Sequence, residues 1–229
     1  MGRYFNLERP IILLQDSVHG SQMDKSTKNP SSDVAFTKRV KAVQMRKGSR
    51  AEFTEQESKG GWAKTITPSL AEYIAQVRTC FLGTATAQGQ PYVQHRGGPP
   101  GFLKILDAQT LGFVDFIGNY QYITTGNLEE NPRAILFLID YTRRQRVKLW
   151  GTARVIEGDM DLNRKLSLDS YPAEAEQAII FTVEAWDMNC PRHIPIMIPF
   201  EDVSAAAKRL EERIVELETE NAALKQAAR

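Results

Sequence analysis

The run from Gly89 to Asp107, GQPYVQHRGGPPGFLKILD, puts two cations beside a backbone that can come close to a ligand. Arg96 and Lys104 flank Gly97-Gly98-Pro99-Pro100-Gly101. Glycines let main-chain amides approach an anion closely. Guanidinium and ammonium groups supply the countercharge that a phosphate monoester requires. The same composition also describes an ordinary loop between strands, so spacing alone leaves a phosphate site and a plain turn both open.

Other chemistries find little support. Cys80 and Cys190 form no CxxC pair and read as small buried hydrophobes. His19, His95 and His193 make no HExxH or other metal spacing, so no metal site is expected. No nucleophile triad or carboxylate dyad stands out. The formal charge of +1 gives no overall reason to expect nucleic acid. No apolar run approaches the roughly 20 residues that span a bilayer. The stretch Ile11–Leu14 is too short for an export signal, which makes the cytoplasm the default expectation.

The elements that must carry Arg96 and Lys104 can be read from periodicity. Residues 1–32 lack a pattern and are expected to be a disordered leader. Residues 33–66 form an N-terminal helical extension, with Asp33 as cap, Phe36, Val40 and Val43 as the apolar stripe, and Gly48 as stop. Its other face is basic (Lys38, Arg39, Lys41, Arg46, Lys47) and reads as solvated. A helix opens at Thr67-Pro68, and strand periodicity then takes over at Cys80–Ala87, Tyr92–Arg96, Phe102–Leu106 and Leu111–Phe116. A helix over Tyr120–Glu130, a hairpin of Ala134–Asp140 and Arg146–Ile156, a helix near Asp159–Leu168 and a strand Ala178–Trp186 complete a body spanning 67–200. Short connections require antiparallel neighbours. With the two pieces around GGPPG taken as one interrupted strand, the count is six. The expected fold is mainly β with peripheral helices, a closed or nearly closed six-stranded antiparallel barrel.

Residues 201–229 carry a different repeat. Val203, Ala207, Leu210, Ile214, Leu217, Asn221, Leu224 and Ala228 step by four and three, an a/d seam with Asn221 at an a position. A parallel pair would match Arg213 with Glu218 and Glu220 with Lys225 of a second copy. The alternative is a single amphipathic helix folded onto its own barrel.

The residues also suggest a family. The run GTATAQGQPYVQHRGGPPGFLKILDAQTLGFVDFIGNYQYITTGNLEENPRAILFLIDY, the continuation RVKLWGTARVIEG and the ending AWDMNCPRHIP resemble the pyridoxamine 5'-phosphate oxidase-related FMN-binding split barrels, from about Thr67 to Ile198. The resemblance implies FMN as cofactor, a homodimer and a small-molecule or nicotinamide electron partner, hence an oxidoreductase. It implies phosphate contacts from Arg96 and Lys104, and contacts to the phosphate and ribityl chain from Asn119, Tyr120 and Gln121, with Asn127 on the inserted helix as a further candidate. It further implies that Arg146 of a second subunit reaches the ring, and that Trp186, Asn189 and His193 lie at the dimer interface. Three departures matter, the first being that the family's C-terminal Arg/His substrate motif is not recognisable in NCPRHIP. GGPPG interrupts the family's continuous Arg-to-Lys strand, and Asn119-Tyr120-Gln121 replaces a Ser-Arg-Lys triplet, removing two cations. Oxidation of vitamin B6 therefore does not follow. A non-catalytic flavin-binding module, or a split barrel using haem or a deazaflavin, is the competing reading.

Overall fold

A computed structural model describes residues 29–189 and 191–227. The disordered leader expected for residues 1–32 falls, through residue 28, outside the described residues.

The chain enters through a 3-10 turn, Ser31–Val34, followed by α1 (Lys38–Lys47) and α2 (Arg50–Ser58). The hydroxyl of Thr37, not Asp33, caps α1 by accepting from the Val40 amide. Asp33 lies in the 3-10 turn and pairs with Lys41. Gly48 closes α1 in the left-handed conformation that favours glycine. α2 has no apolar stripe that would have announced it: within RAEFTEQES only Phe53 is large and apolar. Packing holds it instead. Phe36 sits between Phe53 and Trp62, and Trp62 stacks on Trp150 with ring centroids 4.6 Å apart.

α3 (Pro68–Gln76) has the expected start, with Thr67 as cap and Pro68 in the first turn, where a missing N–H costs nothing. It buries Leu70, Tyr73 and Ile74 against the sheet. The strands are β1 (Thr79–Ala85), β2 (Pro91–Gly97), β3 (Lys104–Ile105), β4 (Thr110–Phe116), β5 (Arg133–Asp140), β6 (Gln145–Glu157) and β7 (Ala175–Asn189). Helix α4 (Ile123–Glu130) is inserted before β5, and α5 (Met160–Leu166) before β7.

All pairings are antiparallel, in the order β2-β1-β5-β6-β7-β4-β3. The expected count of six is corrected to seven. The pieces on either side of GGPPG are separate strands at opposite edges of the sheet, β2 beside β1 and β3 beside β4. Of the two expected forms, closed or nearly closed, the sheet takes the second. The sheet curls until β2 faces β4, but no backbone ladder joins them. Only side chains cross this slit, which makes the barrel a split one.

The main core fills the concave face with Leu82, Leu111, Phe113, Leu136, Leu138, Leu149 and Phe181, closed by α3. A smaller cluster of Val114, Leu166, Ala178 and Ile180 packs α5 on the convex side of β4 and β7. β6 and β7 shift register at Trp150/Gly151. A Cβ on Gly151 would lie 1.9 Å from the Thr182 carbonyl oxygen, so this crossing of two long strands admits only glycine.

Candidate functional site

The slit between β2 and β4 holds a connected set of buried polar groups. Strand pleating places Tyr92, Gln94 and Arg96 on one face of β2, and the register sets Arg96 opposite Cys80, so this face looks into the barrel. Arg96 Nη1 forms an ion pair with Asp115 of β4, and Nη2 donates to Gln94 Oε1 at 3.0 Å. Asp115 Oδ2 accepts from Gln177 Nε2 at 3.0 Å, and the same nitrogen lies 3.1 Å from Thr125 Oγ1. Thr124 Oγ1 donates to Gln94 Oε1 at 2.7 Å. Asn127 donates to Thr84 Oγ1 at 3.0 Å and pins the middle of α4 to β1. Asp115, Thr124, Thr125, Asn127 and Gln177 are all buried. One group is left over: Arg96 Nε is buried with no hydrogen-bond partner.

The chain reaches α4 through a strained approach. Tyr120 and Tyr122 both have positive φ, 56° and 50°. Asn119 Oδ1 accepts from the Gln121 amide at 3.2 Å, which fixes the turn. Tyr122 occupies the N-cap position without capping through its side chain, so the first-turn amides of α4 keep their hydrogens unclaimed by a cap. The Tyr122 hydroxyl donates instead to Glu176 at 2.6 Å, which pushes the phenol up to about 12. Burial, partly opposed by the charge of Arg96, raises the Cys80 thiol to about 12, so it stays protonated and is no nucleophile.

The residues singled out by sequence divide into three places. Arg96, Asn119, Tyr120 and Gln121 line the slit, and Asn127 lies in the polar network behind it. Lys104 is elsewhere. It pairs with Gly112, an odd number of residues from Asp115 on β4, and therefore projects on the opposite face. That is the face of α5, since a Cβ on Gly112 would meet Leu166 and Ile180. Arg146, Trp186, Asn189 and His193 belong to a third region, where the start of β6 meets the last residues of β7 and the segment that follows it. Arg146 is registered with Asn189, and its Nε is buried without a partner. Trp186 donates to the Thr65 carbonyl at 2.8 Å, and His193 is exposed with φ 64°. β2 and β6 are three strand spacings apart, about 14 Å along the sheet, so one chain does not bring Arg96 and Arg146 together.

Sequence reasoning missed Gln94, Asp115, Thr124, Thr125 and Gln177. Asp115 carried a signal: it is the one charge inside the apolar run LGFVDF. A charge in a buried strand needs a partner.

A wider groove of about 460 Å³ lies beside the start of β1 and the end of β5, between Arg78, Asp140, Arg143 and the segment 197–202. It is larger than the slit, whose free volume is about 50 Å³, but no cluster of buried polar side chains lines it. The chemistry is concentrated in the slit. Among the described residues no three His, Cys, Asp or Glu side chains are grouped to hold a metal ion, and no helix is long and apolar enough to cross a membrane.

The model of the pyridoxamine 5'-phosphate oxidase family matches residues 66–190, more than half of the chain, from the start of α3 through the slit to the end of β7. The chain belongs to the pyridoxamine 5'-phosphate oxidase family. Among solved structures it is similar to HupZ of Group A Streptococcus, at 18% identity and TM-score 0.45, over 54% of this chain and 93% of that one. A putative pyridoxamine 5'-phosphate oxidase of Lactobacillus delbrueckii gives 19% identity and TM-score 0.42, over 55% and 95%. HutZ, the haem storage protein of Vibrio cholerae, gives 16% and 0.38, over 53% and 93%. No curated protein sequence matches. Within this pyridoxamine 5'-phosphate oxidase family member, residues 29–65 and α6 (Phe200–Ala227) lie outside the matched region.

Proposed function

We propose that this chain is an FMN-binding oxidoreductase whose flavin phosphate is held in the slit between β2 and β4. The observation that carries the reading is the buried Arg96, whose Nε lacks a partner, set beside the uncapped start of α4. A guanidinium together with helix N-terminal amides suits a phosphate group. Asn119, Gln121 and Thr124 supply further polar contacts along the slit.

Volume and charge together argue for a site shared between two chains. A free volume of about 50 Å³ accommodates a phosphate-sized group but not an isoalloxazine ring. The ring would therefore rest outside the slit, near Tyr120 and Tyr122, and need a second wall. Within one chain Arg96 is already paired with Asp115, and Glu176 adds a second carboxylate to the lining. A dianion then needs cations from elsewhere, and Arg146, the residue that the family resemblance sends across to a second copy, is the candidate. FMN, when bound, supplies hydride transfer at N5, while these residues orient it and exclude water. Lys104 belongs to the α5 face and plays no part in the phosphate site.

The absorbance spectrum of the purified protein, followed by FMN titration, tests this reading. Flavin bands are expected, and Arg96→Ala should weaken FMN about ten- to a hundredfold, the loss of one charge-assisted contact, with riboflavin affinity little changed. Lys104→Ala should leave FMN affinity as it is. A Soret band in place of flavin bands would assign haem instead. Bound FMN without steady consumption of a reduced nicotinamide, or of any small-molecule donor, would make the chain a flavin-binding module.

A further inference from the structure

α6 is 28 residues long, and none of its described side chains is buried. It leaves the body after Pro199 and runs for about 42 Å without folding back onto the sheet. Its first residue, Phe200, falls seven before Ala207 and so joins the seam at an a position, 81% exposed. The seam then fills four heptads of seven: Phe200, Ala207, Ile214 and Asn221 at a, with Val203, Leu210, Leu217 and Leu224 at d. A single solvated helix has no use for an apolar stripe whose last member, Leu224, is still 70% exposed.

We infer that the stripe is covered by α6 of a second copy of this chain, in a parallel, in-register two-stranded coil. Charge selects both the occupant and the direction. In the parallel arrangement Arg213 at g meets Glu218 at e of the second copy, and Glu220 meets Lys225. The remaining g–e match, Ala206 with Glu211, is neutral, so no like charges face each other. An antiparallel pair centred on Ile214 and Leu217 would set Arg213 against Glu220 but also Glu218 against Glu211, so its charges cancel where those of the parallel pair all attract. It would also set Asn221 against Leu210, stranding an amide in an apolar layer, whereas the parallel pair lets Asn221 bond to its counterpart. Within one chain Arg213 already contacts Glu216 at 2.7 Å, an exposed pair that contributes little and yields readily to the crossing one.

The coil axis is then the two-fold axis of the dimer. The segment at its root is held to the β5–β6 hairpin, because Thr142 donates to the Met197 carbonyl at 2.8 Å. The two hairpins therefore flank that axis. This inference is independent of which cofactor the slit holds.

Disulfide trapping in the full chain tests it. In a Cys190→Ser background, Asn221→Cys should form an interchain disulfide about tenfold or more faster than Thr219→Cys, which sits at f on the outer face. Equal rates at the two positions, as expected for a dimer joined through the barrels alone, would overturn the inference. So would faster linking in a mixture of Asn221→Cys and Leu210→Cys chains than in either alone. Glu218→Arg should slow the Asn221→Cys reaction, and adding Arg213→Glu should restore it. Failure of that rescue would remove the charge argument for direction.

Discussion

Arg96 and Asp115 face each other across a slit that no backbone ladder spans. Each side chain is 11% exposed, so the pair is largely desolvated, and the partners matter more jointly than singly. Arg96→Ala should destabilise the fold by about 3 kcal/mol in urea denaturation, because the buried Asp115 carboxylate loses its paired cation. Replacing both with apolar residues, Arg96→Met with Asp115→Leu, should cost much less than the sum of the single changes. Additive losses would mean that the pair is not coupled. Half of this arrangement was legible in the sequence. Arg96 stood out beside the glycines and Asp115 was the one charge in its apolar run, but nothing matched them, since β2 and β4 are not neighbours in the sheet order. No periodicity records which strands meet when a sheet curls. The same reason hid the face of Lys104: alternation gives it relative to its own strand, and only the pairing with Gly112 shows that this face belongs to α5.

Among the elements, those with a strong local signature stand where the sequence put them. Thr67-Pro68 starts α3, and alternation marks β1, β5 and β6, each with every second residue buried over most of its length. α2 was not legible because it is held by tertiary contacts instead of an amphipathic stripe of its own. One of those contacts is electrostatic: Glu57, nearly buried, is bonded by Arg50 and lies 3.2 Å from Lys41 of α1. Burial alone would raise the Glu57 carboxyl, but the hydrogen bonds from Arg50 and Lys41 outweigh it and hold the group below its ordinary 4.5. A lowered carboxyl in the folded state contributes stability that is complete above the ordinary value and vanishes as pH falls through the folded one. Acidification below about pH 4 should therefore loosen the α1–α2 pair. The near-ultraviolet circular dichroism of the stacked Trp62 and Trp150 reports on it. Glu57→Gln should start from a weaker signal and lose the acid-dependent part of the change. An unaltered acid profile in that variant would place the pH response elsewhere.

For the whole molecule, the sheet and α6 are energetically separate. The body's two apolar clusters are built without any α6 side chain. A chain ending at Pro199 should keep its native circular dichroism in the β region and unfold at nearly the same temperature when dilute. At high concentration the full chain should unfold later than the truncated one, because association stabilises by mass action. A truncated chain that fails to fold would show that α6 supports the sheet directly. Four and three alternation made this helix readable at once, since a long isolated helix is governed by local periodicity more than any strand is.

β2 is joined to β1 on one side and meets β4 on the other through side chains alone. It is therefore a latch. Swinging it outward breaks the Arg96–Asp115 pair and the Thr124–Gln94 bond but no rung of the sheet. A closed barrel would have to unzip a ladder to admit anything larger than its interior. Widening this mouth would leave all seven strands with their neighbours, and the groups that fasten it are the same ones that would greet an entering anion.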